Sequence, residues 1–252
     1  MTAVLKLGGS VVTEKDEPET VDDDALARAA AAVADFEGDV AVVHGGGSFG
    51  HHAAAERGVS AESGTRSAAD ARAIHDAMGR LNAAVLDALQ AAGVEALPVR
   101  PLSLASRDAD GTLSLPTGSV ATMLAEGFTP VLHGDGVVES GSGVTVTSGD
   151  DLVVALADGL ADVDRVGLCS TVPGVLDGDG DVIGRIERWG DAADALGGSD
   201  ATDVTGGMAA KVEKLLALRA PAHVFGPDGL EEFLAGGAPG TVVAGGESRL
   251  DR

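Results

Sequence analysis

Short apolar runs alternate along the chain with longer stretches in which apolar residues recur every three or four positions. Ala3-Val-Leu-Lys-Leu7 is the first run, and it predicts a buried strand ending in a Gly8-Gly9-Ser10 turn. Asp39-Val-Ala-Val-Val43 predicts a second strand, which leads into His44-Gly-Gly-Gly-Ser-Phe-Gly-His51. Between them, residues 14–24 are acidic, contain Pro18 and read as an exposed loop. Residues 22–36 place Leu26, Ala30, Val33 and Phe36 behind an acidic first turn, the pattern of a helix N-terminus. Ile74, Met78, Leu81, Val85 and Leu89 mark one face of a long helix over 65–92, with a break expected near Gly79.

The same alternation continues downstream. Strands are expected over 94–99, 129–133, 165–168, 222–225 and 241–243, and helices over 119–126, 150–161, 208–219 and 230–234. Val137-Val138 and Val144-Thr-Val146 flank a Gly-Ser turn and predict a hairpin; Gly178 and Gly180 mark a second one. Strands alternating with helices predict an α/β fold, a three-layer αβα sandwich around a largely parallel central sheet. No fixed-period repeat or Ser/Gly/Pro-rich linker divides the chain, so one domain is expected.

Composition narrows what such a domain can do. Its 252 residues carry 17 Lys+Arg against 40 Asp+Glu, a net charge of −23. A surface this acidic repels nucleic-acid backbones. No run of about 18 apolar residues offers a membrane span. Cys169 is the single cysteine, which excludes a disulfide scaffold. Lys6 interrupts the opening apolar run and Gly-Gly follows at once, so a signal segment is not expected and the cytoplasm is the expected location. A hydrophobic fraction of 44% is ordinary, which argues for a normal core under an acidic shell. That combination suits a cytoplasm at molar salt, where the Debye length is only about 3 Å and like charges scarcely repel.

Three glycine clusters, Gly8-Gly9, Gly45-Gly46-Gly47 and Gly206-Gly207, fall at expected strand–helix junctions. A single glycine turn often only connects elements. Three at junctions better fit a polyphosphate cradle, because glycine admits close backbone approach and helix N-termini favour anions. There is no G-x-x-x-x-G-K-[ST] loop and no G-x-G-x-x-G after the first strand. His44-Gly-Gly-Gly has the look of an esterase oxyanion run, but no G-x-S-x-G elbow follows. His51-His52 does not make a zinc site, since adjacent helical residues point apart and no carboxylate or cysteine lies at ligand spacing.

The lysines are scarce, only Lys6, Lys15, Lys211 and Lys214. Lys6 in a buried-type strand and Lys211 in the first turns of a helix both aim at the glycine crevice, where a buried ammonium needs an anionic partner. For Lys214 the ordinary reading is a solvated helix face, and for Lys15 a mobile loop charge.

Lys6-Leu-Gly-Gly-Ser10, the second glycine loop, Ser148-Gly-Asp150 opening a helix, and Thr205-Gly-Gly-Met208 followed by Lys211 together resemble the amino acid kinase superfamily over nearly the whole chain. Three stretches resemble its isopentenyl phosphate kinase branch: Gly8-Gly-Ser-Val-Val-Thr-Glu-Lys15, His44-Gly-Gly-Gly-Ser-Phe-Gly-His51 and Asp203-Val-Thr-Gly-Gly-Met208. Most amino acid kinases lack the closing histidine; fosfomycin-type phosphonate kinases share it, so His51 points to a phosphate or phosphonate acceptor. One stretch departs: Cys169-Ser-Thr-Val-Pro-Gly-Val175 keeps Gly174 and Val175 of the family's nucleotide edge but lacks two of its acids.

The resemblance implies ATP with Mg²⁺, the metal carried by phosphates and water, and an acceptor such as isopentenyl phosphate. Other small acids and phosphonates are the alternative acceptors, and a non-catalytic nucleotide binder is the alternative from another class. It implies an acceptor lobe over about 1–147, a nucleotide lobe over about 148–252, and a homodimer. Lys6, Lys15, His51, Asp150 and Lys211 take the catalytic positions. Gly8, Gly9, Ser10, Gly47, Gly174, Gly206 and Gly207 lie toward the nucleotide, and Gly46, Gly47, His51 and Gly149 toward the acceptor phosphate. Asp150 holds the two lysines, or it or its neighbour caps the helix, or both. Ile74 and Met78 either line a pocket for the acceptor tail or simply pack the core.

The charge pattern carries a test. Stability against denaturant is expected to fall as KCl is lowered from molar to about 0.1 M; unchanged stability at low salt would refute the saline-cytoplasm reading.

Overall fold

The computed structural model describes residues 1–193 and 207–245. Its N-terminal half runs β1 (Thr2–Leu7), α1 (Gly9–Val12), α2 (Asp23–Ala34), β2 (Asp39–His44), α3 (Gly47–Glu56), α4 (Ala68–Ala91), β3 (Ala96–Pro98), α5 (Pro101–Leu104), β4 (Ser106–Arg107), β5 (Leu113–Ser114), α6 (Gly118–Ala125), β6 (Thr129–His133), β7 (Asp135–Glu139) and β8 (Gly143–Thr147). There follow α7 (Gly149–Gly159), β9 (Val163–Cys169), β10 (Arg185–Ile186), α8 (Gly207–Leu216), β11 (Ala222–Phe225), α9 (Leu230–Leu234) and β12 (Thr241–Val243).

Among the described residues, eight strands form one sheet in the order β10-β12-β11-β9-β1-β2-β6-β3. Its pairs are parallel except β11–β12. A second sheet, β5-β4-β7-β8, contains the expected first hairpin, with β7 and β8 antiparallel. Successive side chains of a strand face opposite ways, and β1 shows the consequence. Ala3, Leu5 and Leu7 join one core with Val40, Val42 and residues of α2, α4 and α9. Val4 joins the other, with Ala41, Val43 and residues of α6, α7 and α8. Helices therefore cover both faces, which is the three-layer sandwich the pattern predicts. Lys6 lies on the Val4 side, toward α7 and α8.

Local chemistry sets the helix starts. The Asp22 side chain accepts from Ala25 N at 2.8 Å to cap α2, and the Ser67 side chain accepts from Asp70 N at 3.2 Å to cap α4. The expected break near Gly79 is absent: α4 is one helix of 24 residues. Gly79 leaves room for Arg100, whose Nη1 would lie 3.0 Å from a Cβ there. The helix starts later than expected because Thr65 pairs with Val144 of β8. Short elements that gave no periodic signal, such as α1, α5, β4, β5 and β10, are two to four residues long. The second hairpin is present as a Leu176–Val182 bridge around Gly178 and Gly180.

The loops after β1 and β2 touch through bare backbone. A Cβ on Gly9 would lie 2.2 Å from Gly47 N, and one on Gly45 would lie 2.5 Å from Gly9 N. Gly47 has φ +48 and would strike Thr13 Oγ1 at 2.3 Å, so both its conformation and its surroundings demand glycine. Gly45→Ala is expected to lower stability by about 3 kcal/mol, the cost of overpacking against immovable backbone. Gly118→Ala, where a Cβ meets nothing within 4 Å, should leave stability unchanged or raise it by up to about 1 kcal/mol. Thermal unfolding in molar KCl checks both, and a harmless Gly45→Ala would contradict the packing.

Candidate functional site

The site forms where neighbouring parallel strands end together, the crevice in which open α/β sheets bind ligands. Each loop begins by extending the ladder one step: Gly8 N donates to Cys169 O at 2.9 Å, Gly45 N to Leu7 O at 2.9 Å, and Gly134 N to His44 O at 3.1 Å. The chain then turns into α1 and α3. Gly8 and Gly46 occupy the cap positions and supply no side-chain cap, though Ser48 N in the first turn of α3 donates to Thr13 Oγ1 at 3.1 Å, which leaves Gly47 N at that start. The first N–H groups of a helix lack intrahelical acceptors, so these two starts present donors suited to an anion. Ser10 is exposed on α1 beside them.

A charged trio stands against this cradle. Lys6 Nζ donates to Asp150 Oδ1 at 2.7 Å, and Lys211 Nζ lies 3.9 Å from Asp150 Oδ2. The three side chains are only 14%, 19% and 16% exposed for Lys6, Lys211 and Asp150. One carboxylate thus holds two ammonium groups that arrive from β1 and α8. Gly149 makes the approach possible, since a Cβ there would lie 3.2 Å from Lys6 Cε. Capping of α7 falls to other residues. Ser148 Oγ accepts from Asp151 N at 3.1 Å, and Asp151 Oδ2 accepts from Ser148 N at 3.2 Å. Asp150 is therefore left to the lysines, and of its two expected roles the structure keeps the first.

Lys214 lies on the solvated face of its helix, as expected, and is paired there. Its Nζ donates to Asp151 Oδ1 at 2.6 Å. Lys15 is exposed, in a loop more tightly held than its acidic sequence implied. Thr13 and Val21 bridge its base, Glu19 N donates to Ser48 O at 3.3 Å, and Arg80 Nε donates to Glu19 Oε2 at 3.2 Å. His51 is exposed on α3, 3.6 Å through its Cδ2 from where a Gly46 Cβ would sit.

Ile74 and Met78 are buried. Ile74 packs with Ala53, Ala54, Val59 and Ala77, while Met78 belongs to the main core with Phe49. Met78 Sδ lies where a Gly50 Cβ would be 2.5 Å away, which brings α4 close under α3. In this structure both residues are core packing directly beneath the helix that carries His51. Gly174 is buried, and a Cβ there would strike Val182 and Thr241. Gly207 opens α8 with φ +67. Gly206, with Asp203-Val-Thr205 of the same motif, lies outside the described residues.

A file of buried polar groups behind the cradle was not read from the sequence. His44 and His133 end β2 and β6 in register, with ring centroids 5.4 Å apart. His44 Nε2 lies 3.1 Å from Asn82 Oδ1, and His75 Nδ1 lies 2.8 Å from Asp135 Oδ2. The available signal was that both strands end in histidine. Burial holds the His44 pKa below its ordinary value, and burial with His44 nearby drives His133 down to about 3. Asp135 is pushed up by burial, with His75 opposing. At the end of β9 the buried Cys169 thiol is pushed up to about 12 by desolvation.

A family model described as the amino acid kinase family matches residues 1–222. An isopentenyl phosphate kinase of Haloferax volcanii is 70% identical over 244 residues, covering 96% of this chain and 98% of that relative. One from Methanocaldococcus jannaschii is 31% identical over 261 residues, covering 96% and 98%. An X-ray structure of isopentenyl phosphate kinase matches with a TM-score of 0.81 at 28% identity, covering 96% of this chain and 100% of its own. The relative from a halophile accords with the acidic surface. Among the described residues no helix is long and apolar enough to cross a membrane.

The buried histidines carry a pH test. His133 titrates near 3 folded and 6.5 unfolded, so it takes up a proton only on unfolding in that window. Stability then rises with pH between those values and is lost as pH falls below about 6.5, by up to about 1.4 kcal/mol per pH unit for each such proton. Asp135 works in the opposite sense, so the comparison of slopes is the readout. Between pH 7 and 5, His133→Gln should lose stability less steeply than the parent by about one proton. Parallel slopes in denaturant unfolding would contradict the assignment.

Proposed function

Since the chain belongs to the amino acid kinase family, we propose that it transfers the γ-phosphoryl group of ATP to isopentenyl phosphate, giving isopentenyl diphosphate and ADP. The observation that carries this reading is the Lys6–Asp150–Lys211 trio set against two helix starts with glycine at the cap. Phosphoryl transfer requires in-line positioning and cancellation of negative charge, and little else from the protein. Lys6 and Lys211 approach from a strand and a helix on separate sides and neutralise the β- and γ-phosphates. Asp150 fixes their spacing and leaves the trio a net positive charge. The Gly8, Gly9 and Gly206–Gly207 backbone and Ser10 serve the nucleotide, with Gly174 at its edge.

A phosphate monoester has its second pKa near about 6 and is already an anion at neutral pH. One of its oxygens attacks the γ-phosphorus, the bond to the β-bridging oxygen breaks, and no base is needed. What the acceptor needs is a donor that holds it in line against the repulsion of the incoming group. His51 supplies that N–H, with the Gly46–Gly47 start of α3 and Gly149 beneath it. Lys15, in its anchored loop, stabilises the group in transit. The acceptor tail lies over the α3–α4 contact, with Ile74 and Met78 packed in the core beneath it. On this reading the acceptor side belongs to residues 1–147 and the nucleotide side to 148–252. Mg²⁺ would come with ATP, held by phosphate oxygens and water, and would offset phosphate charge there.

An ADP-release assay with isopentenyl phosphate, phosphonates, glutamate and acetylglutamate tests the acceptor; turnover on any of the others in preference would overturn it. His51→Ala should lower turnover and acceptor affinity by about a hundredfold, the scale of a lost transition-state donor. ATP binding by calorimetry should stay within about twofold. Lost ATP binding, or undiminished turnover, would remove His51 from this role.

A further inference from the structure

Two consecutive acids open α7 and face two lysines one turn apart on α8. Asp150 takes Lys211, and Asp151 takes Lys214 at 2.6 Å. Residues three apart share a helix face, so both contacts act on the same side of α8. Asp151 also meets Arg107, whose Nη2 lies 3.5 Å from Asp151 Oδ2. Arg107 is buried in the β4–β8 sheet, with Nη1 3.6 Å from Glu139 Oε2 and 3.5 Å from Val146 O. The Asp151 carboxylate therefore joins three elements: the start of α7, the helix that carries Lys211, and the second sheet.

We propose that Asp151 is a positioning residue for phosphoryl transfer, holding α8 through Lys214 so that Lys211 stays at the transferring phosphate, and tying that helix through Arg107 to the β4–β8 sheet. This rests on the kinase reading above. The chemistry of the pair supports it. Burial alone would raise the Asp151 pKa, yet the Lys214 and Ser148 contacts outweigh burial and hold the carboxyl below its ordinary range. Val212 and Leu215 seat α8 in the apolar core. Apolar contacts resist separation more than sliding or rotation, whereas a carboxylate–ammonium contact one turn beyond Lys211 fixes both. The Lys214 side chain is 46% exposed and Asp151 21%, so molar salt screens the pair in part, and the test is therefore made at that salt.

The test uses the full chain in molar KCl. Asp151→Asn keeps an oxygen for the Ser148 cap and removes the charge; Lys214→Met removes the other partner. Each should lower kcat by about ten- to a hundredfold, the scale of a small misplacement of a catalytic group. The KM values for ATP and isopentenyl phosphate should stay within about threefold. Lys214→Arg should restore most of the rate, and the double variant should be no slower than Asp151→Asn alone. A kcat within twofold of the parent in both single variants, or additive losses, would overturn the proposal. Hydrogen exchange gives a readout independent of the acceptor: α8 amides should exchange faster in both variants, and unchanged exchange also overturns it. Turnover of the parent protein, measured first, tests the kinase reading separately.

Discussion

At the ends of β1 and β2 the chain touches itself through main chain alone. Gly9 lies against Gly47, and Gly45 against Gly9, at separations that leave no room for a side chain. Most of the site follows from this contact. It allows α1 and α3 to start side by side, so that their unpaired N–H groups serve one anion region. It sets His51, on α3, at a fixed distance from the Lys6 strand. It also explains why glycine is needed at both 45 and 47 when a turn needs only one.

Against that rigid cradle, the positive charge is mobile in principle and held in practice. An ammonium on a four-carbon stem loses its spacing unless an acid fixes it. Asp150 does so for two lysines at once, and its placement at the start of α7 frees it from capping because Ser148 and Asp151 cap each other. The surrounding surface is strongly acidic, so both anionic substrates approach against a repulsive field. Salt screens that field over distances beyond a few ångströms while leaving contacts within the trio intact. The acidic shell and the cationic centre thus operate on different length scales.

The layered fold was legible because buried parallel strands write short apolar runs, as at 40–43, and helices write a 3.6-residue period, as from Ile74 to Leu89. Lys6 and Lys211 stood out because lysines are rare here, whereas Asp150 beside them came only with the family resemblance. Other features had no such signature. Gly79 looks like a break in sequence, yet it lies inside an unbroken helix with the tip of Arg100 beside it. Lys214 reads as solvated and is, but its pairing with Asp151 across from it has no local signal. The His44–His133 file depends on the register of two strands far apart in the chain, which no local pattern encodes. Ile74 and Met78 show the same limit from the other side, since an apolar stripe does not say whether it faces a ligand or a helix.

The lone cysteine has a practical consequence. Cys169 closes a central strand, is buried, and has its thiol pushed so high that almost no thiolate exists at neutral pH. Thiol reagents attack the thiolate, so the native fold presents them with an inert background. A cysteine introduced anywhere on the surface becomes the sole reactive handle without removing the natural one. Paired spectroscopic labels on the Lys15 loop and on α8 would then read the distance across the crevice directly, in an otherwise unaltered protein.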